Sequence, residues 1–469
     1  MTDLLIQGVT VVDPSNGSLL ADHDVHVHAD RIVGVAPTGQ LTLPLDATIV
    51  AGVGKFLVPG FVDMHAHPLS RKEPAGSLEL MLAFGITGYR QMSGSTAMLK
   101  DRAALVSADF PRMLSMPGAL LSPANAATAA AAVATVRQQH EQGADFIKAA
   151  LVGVDAFYAA QEEAGRLDIP IVGHLPKGVD VVRASGAGMK SIEHLGPGVG
   201  LLACCSTEHS ALQAAVAGRP DMKLPPVKIP FLEALLERVI QKIVINPVNM
   251  SRQPDVDILQ RAVATFDEEE AGALARVLAA DATWQVPTLI RSRTTYLADD
   301  RAYASDPDLR FVAPATLAAW TKATAKFSKF SPASRETFRA VYATMMALTK
   351  VFDDLGVRML AGSDACGAAW VVPGPSLHHE FDELAKAGLA PLKILQMATS
   401  TAADFLNRSH DLGSVQAGRL ADLVLLDANP IDSVEHLHKI SGVVHAGRYL
   451  DATSLDSLKE RVAAARSVT

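Results

Sequence analysis

Two histidines separated by one residue, His65 and His67, follow an apolar segment that starts at Phe56. Residues two apart on a β-strand point to the same side, so both imidazoles would face one point. Neutral imidazole is a common zinc ligand, and such a pair suits one metal ion. A bare His-x-His is also compatible with an ordinary surface or core position. Its place directly after a buried strand and a Pro59-Gly60 break is what favours a metal site.

Four further polar residues end predicted strands: Lys148, His174, His194 and Asp364. An ammonium inside the apolar run DFIKAALV is costly unless it is neutralised or modified. Lys148 is therefore either a lysine whose ammonium reaches solvent at the rim, or a lysine carbamylated by CO2 and able to bridge two metals. Each histidine alone could be a core residue. The Asp364 carboxylate could ligate a metal and accept a proton from bound water.

Together, four histidines, one lysine and one aspartate could hold two divalent cations. A cation lowers the pKa of bound water from about 15.7 toward about 7, so that hydroxide forms near neutral pH. The set therefore predicts hydrolysis without a nucleophilic serine or cysteine. Zinc is the expected ion, and the same ligands accept cobalt or manganese.

The elements that must position these residues alternate, from Gly60 onward, between short apolar strands and Ala-rich helices, the first of them near 77–84. This alternation is typical of a parallel sheet. Strands are predicted at 61–67, 85–92, 112–121, 146–151, 169–174, 191–195, 284–289 and 358–363. Eight such strands predict an α/β fold with a (β/α)8 TIM barrel, whose functional groups come from the carboxyl ends of the strands.

Both ends of the chain have the pattern of short strands broken by turn residues, as in LLIQGVTVVD and GSVQAGRLADLVLLD. We predict a composite β-sandwich built from both termini, residues 1–58 and 411–469, around a barrel at 59–410. The stretch 196–282 is too long for one loop and one helix, so we predict an insertion over the barrel mouth. Its helix-breaking residues are Pro220, Pro225, Pro226, Pro230 and Pro247.

Composition limits the classes of function. The 469 residues are 49% hydrophobic and 20% charged, which indicates a globular chain with one large and one smaller domain. A net charge of −8 without a basic stripe disfavours nucleic acid. Three cysteines, no signal-like start and no membrane-length apolar run predict a cytoplasmic protein without a membrane anchor. We expect a small-molecule substrate and a homo-oligomer.

The ordered motifs resemble the amidohydrolase superfamily along nearly the whole chain: HAH at 65–67, the lysine at 148, GH at 173–174, EH at 193–194 and GSD at 362–364. The flanks LIQGVTVVD, KFLVPGFVDMHAH and GSVQAGRLADLVLLDANP are similar to the β-sandwich of its urease-like members. The segment PSLHHEFDELAKAGLAPLKILQMATSTAADFL is similar to the family's region after strand eight. The matching subgroup contains prolidases, ochratoxinase and imidazolonepropionase-related amidohydrolases.

The resemblance implies a binuclear centre in which carbamylated Lys148 bridges the metals. The more buried metal would be held by His65, His67 and Asp364, and the more exposed one by His174 and His194. Asp364 would pass a proton from the bridging hydroxide to the leaving nitrogen. The bond would be an amide-type C–N bond in an N-acyl amino acid, dipeptide, anilide, carbamate or urea-like molecule.

One departure bears on the substrate. Dipeptidase-like members commonly carry Gly-Gly-His at the tip of strand three, and this chain has GALLSPANAAT there. A less polar amide, anilide, carbamate or urea becomes more plausible. Arg291 and Arg293 follow the seventh predicted strand and are either ordinary rim arginines or ligands of a substrate carboxylate. Trp370, after strand eight, favours an apolar substrate.

Two alternatives remain open. In a mononuclear amidohydrolase or deaminase, acting on a cyclic or aryl C–N substrate, Lys148 would be unmodified. An inactive binding protein of the same fold would have gaps in its ligand set, and the sequence has none. The cluster His378-His379-Glu380 is set aside as a helix start after Pro373 and Pro375, because helix neighbours point about 100° apart.

Overall fold

The computed structural model describes residues 3–42, 44, 46–70, 74–218 and 244–468. The architecture is mixed α/β, with one eight-stranded sheet and two parallel sheets of three and four strands. The strands are β1 (Asp3–Val12), β2 (Leu19–His28), β3 (Arg31–Pro37), β4 (Thr48–Ala51), β5 (Phe56–Pro59), β6 (Phe61–Ala66), β7 (Ile86–Gln91), β8 (Arg112–Ser115), β9 (Ile147–Ala149), β10 (Ile171–Gly173), β11 (Met189–Glu193), β12 (Trp284–Val286), β13 (Leu423–Leu426), β14 (Ile440–His445) and β15 (Arg448–Asp451).

Helices cover the parallel sheets and form most of the described part of 196–282. The α-helices of the described ranges are α1 (Ala75–Ala83), α2 (Thr96–Lys100), α3 (Ala129–Glu141), α4 (Val154–Arg166), α5 (Val181–Gly186), α6 (Gly200–Cys204), α7 (His209–Ala217), α8 (Gln253–Ala264), α9 (Glu268–Ala280), α10 (Leu289–Tyr296), α11 (Pro314–Phe327), α12 (Pro332–Asp354), α13 (Pro375–Lys386), α14 (Pro391–Met397), α15 (Ser400–Phe405) and α16 (Ala452–Val468). Short 3₁₀ turns lie at Pro68–Ser70, Arg102–Leu105, Pro247–Met250, Arg301–Ser305, Pro307–Phe311 and Val434–His438.

The eight-stranded sheet joins the two ends of the chain. Its order is β15-β14-β13-β5-β1-β2-β3, with β4 beside β1. The junction is antiparallel, and it pairs Val424 of β13 with Val58 of β5. Alternate residues of these strands, such as Ile6, Val25 and Leu423, are buried in one apolar cluster. The prediction that both termini build one β unit therefore agrees with the pairing of β13 and β5.

The two parallel sheets have the orders β6-β7-β8 and β9-β10-β11-β12. Isolated parallel bridges lie between them, at Pro117 with Phe146 and at Leu121 with Ala149. Parallel strands with helical connections usually carry their functional groups at their carboxyl ends, and β6, β9, β10 and β11 each end at or next to a predicted site residue.

Residues 358–363, predicted as the eighth strand, do not form one. Single parallel bridges join Met359 to Gln285 and Ala365 to Ala66, and no continuous ladder extends from them. Backbone hydrogen bonds still reach both neighbours: Leu360 donates to Gln285 and Met64 donates to Ala361. Gly362 permits this approach, because a Cβ there would lie 2.7 Å from Cβ of His65.

Part of the predicted insertion, 219–243 with Pro220, Pro225, Pro226 and Pro230, lies outside the described residues. The described parts contain α6 to α9 and the turn at Pro247. The predicted helix at 77–84 corresponds to α1. Within the ranges described, no helix combines the length and the apolar character needed to cross a bilayer.

Candidate metal centre

The carboxyl end of β6 supplies the histidine pair. Asp63 and His65 share one side of this strand, and His67 directly follows its last residue, with an imidazole that also faces Asp364. His65 is completely buried, and its Nδ1 lies 2.6 Å from Oε2 of Glu193. The backbone of His65 donates to Oδ1 of Asp63, which also accepts a hydrogen bond from the backbone of Ser363. These contacts hold the histidine strand against the 358–363 segment.

Asp364 lies opposite the histidine pair. Its Oδ1 is 3.2 Å from Nε2 of His65 and 3.1 Å from Nε2 of His67. Its other carboxylate oxygen accepts a hydrogen bond from Nε of Arg291. The backbone of Asp364 has a φ of 58°, in the left-handed region that few residues with a Cβ adopt. Such a conformation at the end of a segment suits a side chain held for a function.

His194 and His174 complete the cluster of imidazoles. β11 ends at Glu193, and a φ of 58° at His194 turns the chain there. The His194 ring lies 4.5 Å from the ring of His65 and 5.1 Å from that of His174, measured between centroids. One ligand atom from each of His65, His194 and Asp364 lies within 4.8 Å of the other two.

Lys148 lies on β9 and is only 7% exposed. Burial lowers its pKa to about 8, although Asp364 and Glu193 favour the ammonium. The ammonium in turn acts on the histidines, since burial and then Lys148 lower the pKa of His67 to about 4 and that of His174 to about 3. His67 and His174 are therefore neutral near pH 7, as metal ligands must be.

The carboxylates respond differently to burial. Burial opposes ionisation of Asp364, but His194 and Arg291 hold its pKa well below the usual range. For Glu193 burial is likewise outweighed by Arg90 and His65, which lower the pKa to about 2. In Asp63 burial prevails and raises the pKa to about 6. The Asp364 carboxylate is therefore already ionised before any cation binds.

The donor atoms fit a divalent metal. Nδ1 of His65 faces a carboxylate, so it carries the proton and Nε2 carries the lone pair. That Nε2 is buried and makes no hydrogen bond within the described chain. It faces Oδ1 of Asp364, so two electron-pair donors oppose each other 3.2 Å apart. Atoms that share one zinc ion in tetrahedral geometry are about 3.4 Å apart, so this spacing suits a shared cation.

The tautomer of His194 is set in a similar way. The Thr288 hydroxyl lies 2.8 Å from the Pro287 carbonyl oxygen, to which it donates. Because its own proton is used in this way, the Thr288 oxygen acts as the acceptor for Nδ1 of His194, which lies 2.6 Å away and carries the ring proton. Nε2 of His194 therefore keeps its lone pair. Thr288 has a φ of 45° and directly precedes α10, so the backbone turn is what brings the hydroxyl to the imidazole.

Four residues that were not predicted from the sequence hold the histidines or the strand backbone beside them: Asp63, Arg90, Glu193 and Thr288. All four are buried. A usable signal existed for three of them, since charged residues inside predicted buried strands need a partner. Asp63 lies in FVDMHAH, Arg90 in GITGYRQM and Glu193 in MKSIEHL.

The two arginines after β12 differ. Arg291 contacts Asp364 inside the cluster. Arg293 lies 3.3 Å from Glu383 and 3.6 Å from Asp300, and its guanidinium packs over the ring of Tyr303. Of the two arginines, Arg291 is the one that contacts a proposed metal ligand.

The side chains set aside earlier lie elsewhere. His378 is buried in the first turn of α13, and its Nε2 contacts the carbonyl oxygen of Phe84. Glu380 accepts a hydrogen bond from the backbone of Ile290 at the start of α10. Trp370, which favoured an apolar substrate in the sequence, is 7% exposed and stacks on Tyr303, so its indole belongs to an apolar cluster.

The chain is similar in sequence to known proteins. Residues 314–450 match the sequence pattern of the Amidohydrolase family. A dihydroorotase of Anoxybacillus flavithermus is 28% identical over 168 residues, which are 33% of this chain and 38% of that protein. The chain thus matches well under half of the length of this relative.

Solved structures match nearly the whole chain. Bottromycin amidohydrolase has a TM-score of 0.70 and 26% identity, covering 98% of this chain and 90% of that one. A Xaa-Pro dipeptidase with bound methionine in its active site has a TM-score of 0.60 and 16% identity, covering 96% and 100%. The latter likeness shows the fold alone. The resemblance predicted from the motifs is confirmed: residues 314–450 match the Amidohydrolase family, and the structure is similar to that of bottromycin amidohydrolase over 98% of the chain.

Proposed function

We propose that this chain is a metal-dependent hydrolase that cleaves an amide-type C–N bond in a small molecule. One observation carries the proposal: buried ligand atoms of His65, His194 and Asp364 lie within 4.8 Å of one another. The likeness to bottromycin amidohydrolase over 98% of the chain supports an amide substrate.

The metal would be held by the cluster, with zinc as the expected ion. When bound, it would polarise the scissile carbonyl and make hydroxide available near neutral pH. Asp364 is suited to accept the proton of the attacking water and deliver it to the leaving nitrogen, because its Oδ1 faces the cluster. Arg291 keeps the other oxygen of this carboxylate oriented.

We propose that Lys148 is carbamylated and bridges a second metal, which His174 would help to hold. Only a neutral amine reacts with CO2, and burial lowers the pKa of Lys148 to about 8. A substantial neutral fraction therefore exists near neutral pH. The negative charge gained would also remove the repulsion between Lys148 and the guanidinium groups of Arg90 and Arg291.

A one-metal centre is the second candidate, and one observation favours it. The family resemblance implies that His194 holds a different metal from His65 and Asp364, yet these three side chains form one compact group. In this case Lys148 stays an amine and the substrate is a cyclic or aryl C–N compound. Metal content separates the candidates: about two ions per chain with bicarbonate dependence, or about one without it.

We further propose that the two parallel sheets and 358–365 form one closed (β/α)8 barrel at 59–410, flanked by a composite β-sandwich from 1–58 and 411–469. The parallel bridges at Pro117, Leu121, Met359 and Ala365 support this closure, since they join the sheet edges in chain order. The described parts of the insertion, 196–218 and 244–282, would cover the mouth. Limited proteolysis tests the boundaries, because cleavage concentrates in exposed loops.

A substrate panel tests the reaction: N-acyl amino acids, dipeptides, anilides, carbamates and phenylureas, each with Zn²⁺ and after chelation. Metal-dependent release of an amine from at least one class is the expected result. No turnover of any class by a metal-loaded, folded chain would contradict the proposal. Arg291 would favour substrates with a carboxylate if its guanidinium can leave Asp364, and the N-acyl amino acids test that role.

A cytoplasmic location and a homo-oligomer remain part of the proposal. Burial raises the pKa of the Cys204 thiol to about 12, and Cys205 is buried beside it. Such protonated thiols are compatible with a reducing compartment. Light scattering of the purified chain measures the oligomeric state.

A further inference from the structure

A buried chain of charges connects three strands behind His65. Nδ1 of His65 lies 2.6 Å from Oε2 of Glu193, and Oε1 of Glu193 lies 2.8 Å from Nη2 of Arg90. The hydroxyl of Ser191 donates to the same Oε1 at 2.7 Å. The side chains of His65, Glu193 and Arg90 are all fully buried. β6, β11 and β7 thus each contribute one member.

Arg90 also holds the backbone beside the histidine. Its Nε donates to the carbonyl oxygen of Met64 at 2.6 Å, one residue before His65. Its guanidinium packs over the ring of Phe405, 4.9 Å from the centroid. The planar guanidinium therefore contacts the Glu193 carboxylate and strand β6 at once, which a single ammonium could not do.

The pairing gives the imidazole one orientation and one tautomer. Because the Glu193 carboxylate is an acceptor only, Nδ1 of His65 must donate. The lone pair then resides on Nε2, the atom that faces Oδ1 of Asp364 without a hydrogen bond. A buried carboxylate would be costly alone, and the Arg90 guanidinium offsets that cost.

We propose that Glu193 and Arg90 are positioning residues that prepare His65 to bind the metal. This inference rests on the proposed function, since it concerns the same centre. Neither side chain touches the metal or the substrate. Removing the Glu193 charge frees the imidazole to rotate or to place its proton on Nε2, and metal affinity falls.

The test measures metal binding rather than turnover. Metal-free wild type, Glu193→Gln and Arg90→Lys are titrated with Zn²⁺ in competition with a chelator, and urea unfolding verifies that each is folded. Glu163→Gln is the matched control: Glu163 is also a buried carboxylate held in ion pairs, with Arg137 and Arg166, but it lies on α4. Loss of such a partner of a metal ligand lowers affinity by about 10- to 100-fold.

We expect this loss in Glu193→Gln, a smaller one in Arg90→Lys and none in Glu163→Gln. The visible absorption of bound Co²⁺ should change in Glu193→Gln and not in Glu163→Gln, because ligand orientation alters it. Wild-type affinity in a folded Glu193→Gln overturns the inference. If Glu193→Gln does not fold, Arg90→Lys decides by the same titration. A wild-type chain that takes up no metal contradicts the proposed function itself, which separates the two failures.

Discussion

The guanidinium of Arg291 holds one oxygen of the Asp364 carboxylate, while the other oxygen faces His65 and His67. The two oxygens of one carboxylate thus have different surroundings. One is tied to a permanent cation and the other points into the imidazole cluster. This division makes Asp364 suitable both as a ligand and as a proton acceptor.

Replacing Asp364 by Asn keeps the shape and removes the charge. We expect turnover to fall by about 10²- to 10⁴-fold, because the proton acceptor is lost. The measurement is kcat on the best substrate of the panel with metal in excess. Asp353→Asn, on α12 and paired with Lys393, is the control. Unchanged turnover in a folded Asp364→Asn would exclude the catalytic role.

Arg291→Met should shift the pH profile. The guanidinium helps to keep the pKa of Asp364 low, so its removal raises that pKa. The carboxylate is then protonated at a higher pH, and the acid limb of the kcat/KM profile shifts to higher pH. Arg293→Met serves as the control, since Arg293 pairs with Glu383 and Asp300. Equal profiles for the two variants would contradict this prediction.

Lys148→Met should remove the carbamate and with it the second metal. In wild type incubated with ¹³C-bicarbonate we expect a carbamate signal in the ¹³C NMR spectrum, and in the variant none. Lys190→Met, on β11 of the same sheet, should keep the signal. A wild-type spectrum without the signal would favour the one-metal candidate.

Gly173 precedes His174 in a conformation that glycine alone adopts easily, with a φ of 126°. A Cβ there would lie 2.2 Å from the carbonyl oxygen of Ala149, beside Lys148. Gly173→Ala should therefore lower the free energy of unfolding by roughly 1–3 kcal/mol. Gly165→Ala, exposed in α4 with open space around it, should raise it by about 0.5–1 kcal/mol. Urea unfolding measures the free energy of unfolding of both variants. Equal changes in the two would contradict the strain predicted at position 173.

Acid should destabilise the metal-free chain. The folded pKa values of His67 and His174 are about 4 and about 3, below the ordinary 6.5. Between pH 6.5 and 4 these histidines bind protons in the unfolded chain but not in the folded chain. The free energy of unfolding therefore decreases as the pH is lowered through this range. Each histidine contributes roughly 1 kcal/mol per pH unit in this window. His174→Gln should have a shallower slope, and an identical slope would refute the assignment.

The sequence predicted the site where strand ends determine it. His65, His67, Lys148 and His174 lie at or beside the ends of their strands, because β-alternation and apolar runs are local properties. The position of His194 was also expected, but its left-handed turn was not. Local patterns contain no information about that backbone change.

Other features depend on contacts between distant segments. Glu193 is 128 residues from His65, and nothing near either residue indicates their pairing. Residues 358–363 have the apolar pattern of a strand, yet they form only isolated bridges, since pairing depends on how two sheet edges meet. Trp370 was expected at a substrate mouth and instead packs among Tyr303 and Trp320.

Metal content is the most direct test of the proposed metal centre. The chain is freed of metal, incubated with Zn²⁺ and bicarbonate, passed through a desalting column and analysed by mass spectrometry of the elements. We expect about two zinc ions per chain, or about one if Lys148 is unmodified, and restored hydrolysis of an amide-type substrate. A folded chain that retains no zinc would contradict it.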